Sequence, residues 1–197
     1  MKIPSAVRLL LDINILVSDV LGRARGRQGT ASQKLVDAVL AGRLGGTAIQ
    51  LVVSIPMLDR FHDVLLRLGA EARDAEVARL ALIDLVRSGP DALDPYLLLD
   101  RSDVSFPLAD EEDAAVLAAA FAARADLLVT DNLGDFTAAG GTITNTLMAR
   151  HSDGRARQLT RQALRSPSGH LLTIVHPLEV LAAEHLGSLA DIALSQE

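Results

Sequence analysis

The stretch Val7-Arg8-Leu9-Leu10-Leu11-Asp12-Ile13-Asn14-Ile15-Leu16-Val17 decides the fold. A short apolar run that ends on a carboxylate reads as a buried strand delivering Asp12 at its C-terminal end. Open α/β sheets gather their reactive groups outside the carboxyl ends of the strands, so Asp12 is a candidate for a site as well as for a turn.

The same pattern returns far along the chain. Leu127-Leu128-Val129-Thr130-Asp131-Asn132-Leu133-Gly134-Asp135-Phe136 runs again from a short apolar strand into an acidic turn. It is preceded by an Ala-rich helical stretch that opens Asp110-Glu111-Glu112-Asp113. In a parallel sheet, strand C-termini and the N-termini of the helices that follow lie on one side, so Asp12, Asp113 and Asp135 can share one edge. Each has an ordinary reading too. A strand-end Asp shapes turns or caps, the 110–113 cluster complements a helix macrodipole, and Asn132 and Asp135 could form a turn. Ordered recurrence is what favours a site.

Working outward, the polar loop Gly22-Arg23-Ala24-Arg25-Gly26-Arg27-Gln28-Gly29-Thr30 follows the first strand and a short helix. Helical spacing predicts a helix over 31–40, and residues 49–53 read as a second buried strand. Ser54 before Pro56 is a helix start, followed by Met57, Leu58, Phe61, Val64, Leu65 and Leu68 at helical spacing. Residues 71–87 form another amphipathic helix closed by Gly89-Pro90, and 91–107 is less regular. A helix over 111–124 leads to a strand over 127–130. The polar stretch from Gly140 to Gly169 carries Arg150, Arg155, Arg157, Arg161 and Arg165, with Asp153 the one acid between Arg150 and Arg165. It is read as a binding arm or a solvated helix. A strand over 171–175 and His176-Pro177 lead into a last helix with Val180, Leu181 and Leu186. Strands alternating with helices predict α/β architecture, a central parallel sheet flanked by helices on both faces. The whole chain is expected to be one domain, with 140–169 an insertion.

Composition narrows the chemistry. At 197 residues with 49% hydrophobic and 22% charged content, the chain is globular. Aromatics at 3% disfavour a base-stacking platform. With no cysteine, thiolate metal sites and cysteine nucleophiles are excluded and oxygen ligands must do any metal chemistry. A net charge of −6 argues against indiscriminate nucleic-acid binding but leaves room for local basic patches. No signal peptide and no membrane span are expected, and a cytoplasmic location is. The Gly-x-Ser-x-Gly elbow of Ser/His/Asp hydrolases and the Walker and dinucleotide glycine motifs do not occur. The five histidines show no ligand spacing, and His62 is the one expected near the acids.

The run ending Leu-Leu-Leu-Asp12-Ile-Asn14, the segment Asp113-Ala-Ala-Val-Leu-Ala-Ala-Ala, and Leu-Val-Thr130-Asp131-Asn132-Leu-Gly-Asp135-Phe136 resemble the opening, middle and closing motifs of PIN domains. The resemblance extends to the C-terminal strand with Pro177 and a Glu-bearing helix start, and leaves out about 140–169. It implies a PIN-like fold and a metal-dependent endoribonuclease, many bacterial members being VapC-like toxins held by a cognate antitoxin. Carried over, Asp12, Asp113 and Asp135 match the metal-binding and catalytic acids. Asn14, Thr130 and Asn132 match the residues that brace them, and Asp131 is a candidate extra ligand. Hard carboxylate oxygens at this density suit Mg²⁺ or Mn²⁺. A homodimer is a family expectation.

Two positions depart from the family pattern. Arg60 stands where the family places a Glu, leaving Asp59 or Asp63 to supply that carboxylate or Arg60 to weaken metal binding. Ile13 replaces a small hydroxyl residue. Arg23, Arg25 and Arg27 are candidate RNA-backbone contacts rimming the acids. The reading is a Mg²⁺-dependent ribonuclease, the toxin of a toxin–antitoxin pair, with a non-cutting RNA-binding or protein-binding module as the alternative. A haloacid-dehalogenase-like phosphatase would need a second Asp where Asn14 stands.

Overall fold

The computed structural model describes residues 6–87, 96–98, 106, 108, 110–150, 156–166 and 168–183. Leu9, Leu10 and Leu11 of β1 (Val7–Leu11) are almost wholly buried, as are Leu127, Leu128 and Val129 of β5 (Leu127–Val129). Strands buried on both faces read as continuous apolar runs, and these two lie side by side in parallel. On the far side of β1 comes β3 (Thr47–Ser54), which pairs with β1 and β4 (Tyr96–Leu98) in parallel and with β2 (Arg43–Leu44) antiparallel. On the far side of β5 lies β8 (Leu171–Val175), also parallel.

This order sets the site. The chain leaves β1 for β3 on one side and later returns to β5 on the other, so strand order reverses between β1 and β5. A crevice at such a switch point, outside the strand C-termini, is where open α/β sheets bind ligands. Asp12 directly follows β1 and Thr130 directly follows β5, at that point.

Helices link the strands. α1 (Ile13–Ala24) and α2 (Ala31–Leu40) join β1 to β2 and β3. The Thr30 hydroxyl accepts from the Gln33 amide while the Gln33 side chain accepts from the Thr30 amide, a reciprocal cap that fixes where α2 begins. α3 (Ile55–Arg67) starts on the Ser54 side chain, which accepts from the Met57 amide, with Pro56 in its first turn. It packs against α4 (Ala72–Arg87). α5 (Glu111–Ala122) precedes β5, and α6 (Pro177–Ala182) follows β8. Among the described residues, no helix is long and apolar enough to cross a membrane.

The largest departure from the sequence reading is the arginine-bearing segment. It is no helix: β6 (Thr142–Arg150) and β7 (Ala156–Arg165) form an antiparallel hairpin that adds to β8 through β7 and leaves β6 as the outer strand. Gly141 shows why the entry is tight, because a Cβ there would stand 3.1 Å from the Ala163 carbonyl oxygen. Arg161 is buried in succession with Gln162, Ala163 and Leu164, so this half of β7 is covered on both faces with an arginine inside it. Arg161 is tolerated because Glu179 of α6 pairs with it, and Glu179 also accepts from Asn145 of β6. β4 also lies in a stretch that reads as irregular. Leu186 and Gly89-Pro90 fall outside the described residues.

Candidate active site

Asp12 is buried to 3% exposure at the head of α1, with its backbone amide held by the Val129 carbonyl at 2.9 Å. Burial raises its carboxyl above the ordinary range, opposed first by the Thr130 hydroxyl, which donates to Oδ2 at 2.7 Å. Asn14 Nδ2 reaches the same oxygen at 3.3 Å. Thr130 is itself fixed, since its Oγ1 accepts from the Asn132 amide at 3.0 Å. Asn132 then turns its side-chain amide onto Asp135 Oδ2. A chain of hydrogen bonds thus runs Asn14, Asp12, Thr130, Asn132, Asp135 around the C-terminal ends of β1 and β5.

Asp113 enters from the first turn of α5. Its carboxyl is pushed up to about 6, first by burial, then by the charges of Asp135, Asp12 and Asp110, and by a hydrogen bond to Asp135. Burial alone would raise any carboxyl, but the added contributions of Asp135 and Asp12 mark Asp113 as one of a like-charged group. Asp110 caps α5 by accepting from the Glu112 amide at 2.7 Å. Asp12, Asp113 and Asp135 therefore come together electrostatically. Among the described residues no three acidic or histidine side chains close into a metal cage. An open set of hard oxygens is chemically suited to Mg²⁺ or Mn²⁺, ions that retain several waters.

Other candidates fall elsewhere. Arg60 Nε donates to Glu112 Oε2 at 2.7 Å and Nη2 pairs with Oε1, so its charge is balanced by α5 and not left facing the acids. Asp59 faces Arg79 of α4 at 3.5 Å, and Asp63 is exposed beside His62. His62, expected near the acids, lies 3.9 Å from Glu76 on the α4 side.

Among the described residues, His176 is the histidine that reaches the acidic loop. Its Nδ1 accepts from the Leu178 amide at 3.1 Å while Nε2 stands 3.2 Å from Asp131 Oδ1. Asp131 is thereby turned toward β8. The signal was His-Pro directly after an apolar strand, a cap position.

The arginine loop does not rim this cluster. α1 starts beside Asp12 and carries Arg23 in its last turn, roughly 15 Å along the axis. Arg23 is engaged there by Asp19 and Asp37, each at 2.7 Å, and Arg25 and Arg27 lie beyond it, exposed.

Compared with known proteins, the chain matches no curated protein and no solved structure. A family profile does match. It spans residues 8–134, from β1 into the turn after β5, taking in Asp12 and Asp113 and stopping one residue short of Asp135. The profile is that of the PIN domain, and the chain belongs to the PIN domain family.

Proposed function

We propose that the protein is a divalent-metal-dependent endoribonuclease that hydrolyses RNA phosphodiester bonds at Asp12, Asp113 and Asp135. PIN domains are in general nucleases that use divalent metals, which supports the coarse reading. The observation that carries the site is the gathering of Asp12, Asp113 and Asp135 at one edge, where burial first and then the charges of Asp135 and Asp12 raise the Asp113 carboxyl to about 6. Carboxylates gathered against their mutual repulsion are a cation site in waiting.

In this reading Asp12, Asp113 and Asp135 hold Mg²⁺ or Mn²⁺, which when bound supplies an activated water and charge stabilisation for a phosphodiester. The protein's own groups orient the acids. Thr130 fixes one oxygen of Asp12, and Asn132 fixes one oxygen of Asp135. The burial of Asp12 strengthens its field by excluding water. The resemblance to VapC-like toxins supports a finer assignment, as the cytoplasmic, homodimeric toxin of a toxin–antitoxin pair.

The test is cleavage of single-stranded RNA by purified protein with Mg²⁺ or Mn²⁺. Wild type cuts, EDTA stops it, and Asp12→Asn or Asp113→Asn abolishes cutting with an unchanged far-ultraviolet circular dichroism spectrum. Cleavage that persists in both variants sinks the assignment. For the toxin role, expression in a bacterial host should arrest growth in wild type and not in Asp113→Asn.

A further inference from the structure

The edge that carries the acids also carries a cavity of about 260 Å³. Ile13, Met57, Val116 and Ala119 line it, and Arg60 and Glu112 stand beside them. Two of these residues adjoin the acids in sequence: Ile13 follows Asp12, and Glu112 precedes Asp113. Neighbouring Cα atoms are about 3.8 Å apart, so the cavity lies beside the acidic cluster.

Its size and lining restrict the occupant. Pockets for drug-sized ligands run to roughly 300–1,000 Å³, so this one suits a single flat ring system more than a whole nucleotide. The apolar walls offer ring faces dispersion contact. Arg60 and Glu112 offer a planar fork of donors next to a carboxylate pair of acceptors. They are bound to one another, but as a solvent-reachable pair between α3 and α5 they are held by little net energy, and a ligand can compete for them.

We propose that this cavity takes one nucleobase of the RNA strand, guanine in preference to the others, beside the phosphate served by the acids. The inference rests on the ribonuclease reading above. Guanine turns the acceptors O6 and N7 toward a guanidinium and the donors N1–H and N2–H₂ toward a carboxylate. Adenine puts an amino donor where guanine has O6, setting it against the donors of Arg60. Ile13, in place of a small hydroxyl residue, then has a use: it supplies apolar wall where a hydroxyl would have supplied a hydrogen bond.

The experiment measures binding and not cutting. Fluorescein-labelled oligouridine octamers, either uniform or carrying one central guanosine or adenosine, are titrated with the full chain in EDTA and followed by anisotropy. Wild type should bind the guanosine octamer on the order of tenfold more tightly than the uniform one, the worth of one good bidentate base contact. Adenosine should gain nothing. Glu112→Ala, and separately Ala115→Leu, which fills the cavity, should bring the preference for guanosine over uridine to within about twofold. Equal binding of all octamers by wild type, no binding of any, or a preference that survives both substitutions overturns the proposal. A protein that cuts RNA without a guanine preference overturns this inference alone. A guanine preference in a protein that does not cut overturns the ribonuclease reading on which it rests.

Discussion

Arg161–Glu179 and Arg60–Glu112 each join two elements at the C-terminal edge of the sheet, one on the β8 side of the acids and the other on the β3 side. The first pair has side chains 7% and 5% exposed and the second 32% and 48%. The same two residue types therefore do different work. Burial makes the first pair an architectural requirement, because neither charge has water to fall back on and each needs the other. Exposure makes the second weak as a staple and free to exchange partners. The acids sit between a rigid flank, where the hairpin is locked onto α6, and an adaptable flank, where α3 and α5 meet around the cavity.

The sharpest way to break this contrast is to remove one partner from each pair. Glu179→Ala leaves Arg161 charged and buried, and should cost about 3–5 kcal/mol of folding stability. The reading is the urea midpoint of the purified protein. Exchanging both partners, as Arg161→Met with Glu179→Leu, should recover most of that loss, because no unpaired charge then remains.

A smaller effect separates the acids from both flanks. In metal-free protein the Asp113 carboxyl lies at about 6 against an ordinary 3.8. Between those values the folded state holds a proton that the unfolded state has released, so stability falls as pH rises from about 4 through 6 and stays reduced above. Burial raises Asp12 too, and it adds to the same trend. Melting temperatures in EDTA should therefore drop for wild type between pH 4 and 7 more steeply than for Asp113→Asn, which should be the more stable of the two at pH 8. Superimposable pH profiles would count against the coupling. Added Mg²⁺ should restore wild type and not the variant.

The smallest effect belongs to the exposed pair. Arg60→Ala should change stability by no more than about 1 kcal/mol. A loss as large as that of Glu179→Ala would erase the distinction between the flanks.

What the sequence disclosed and what it hid follow the same division between local and distant causes. The bounds of α2 and β8 were readable because Thr30 with Gln33, and a five-residue apolar run, are complete local signals. The elements bearing Asp12, Asp113 and Asp135 were readable because strand ends and helix starts carry their own marks. The hairpin was not. Its inward Arg161 looks solvated until Glu179, from another element, is seen to answer it. Arg60 looked like a cation facing the acids for the same reason, its partner Glu112 lying 52 residues away. The arginine loop was misplaced by a helix length, because order along the chain says that Arg23 follows Asp12 without saying that α1 carries it away.

The central claim is that Asp12, Asp113 and Asp135 form a divalent-cation site. Titration of Mn²⁺ followed by electron paramagnetic resonance tests it most directly, since free Mn²⁺ gives a six-line signal that binding attenuates. Wild type should take up the ion saturably, and Asp12→Asn and Asp113→Asn should leave it free. A wild-type protein that leaves all the Mn²⁺ free, or variants that bind it as wild type does, would contradict the account.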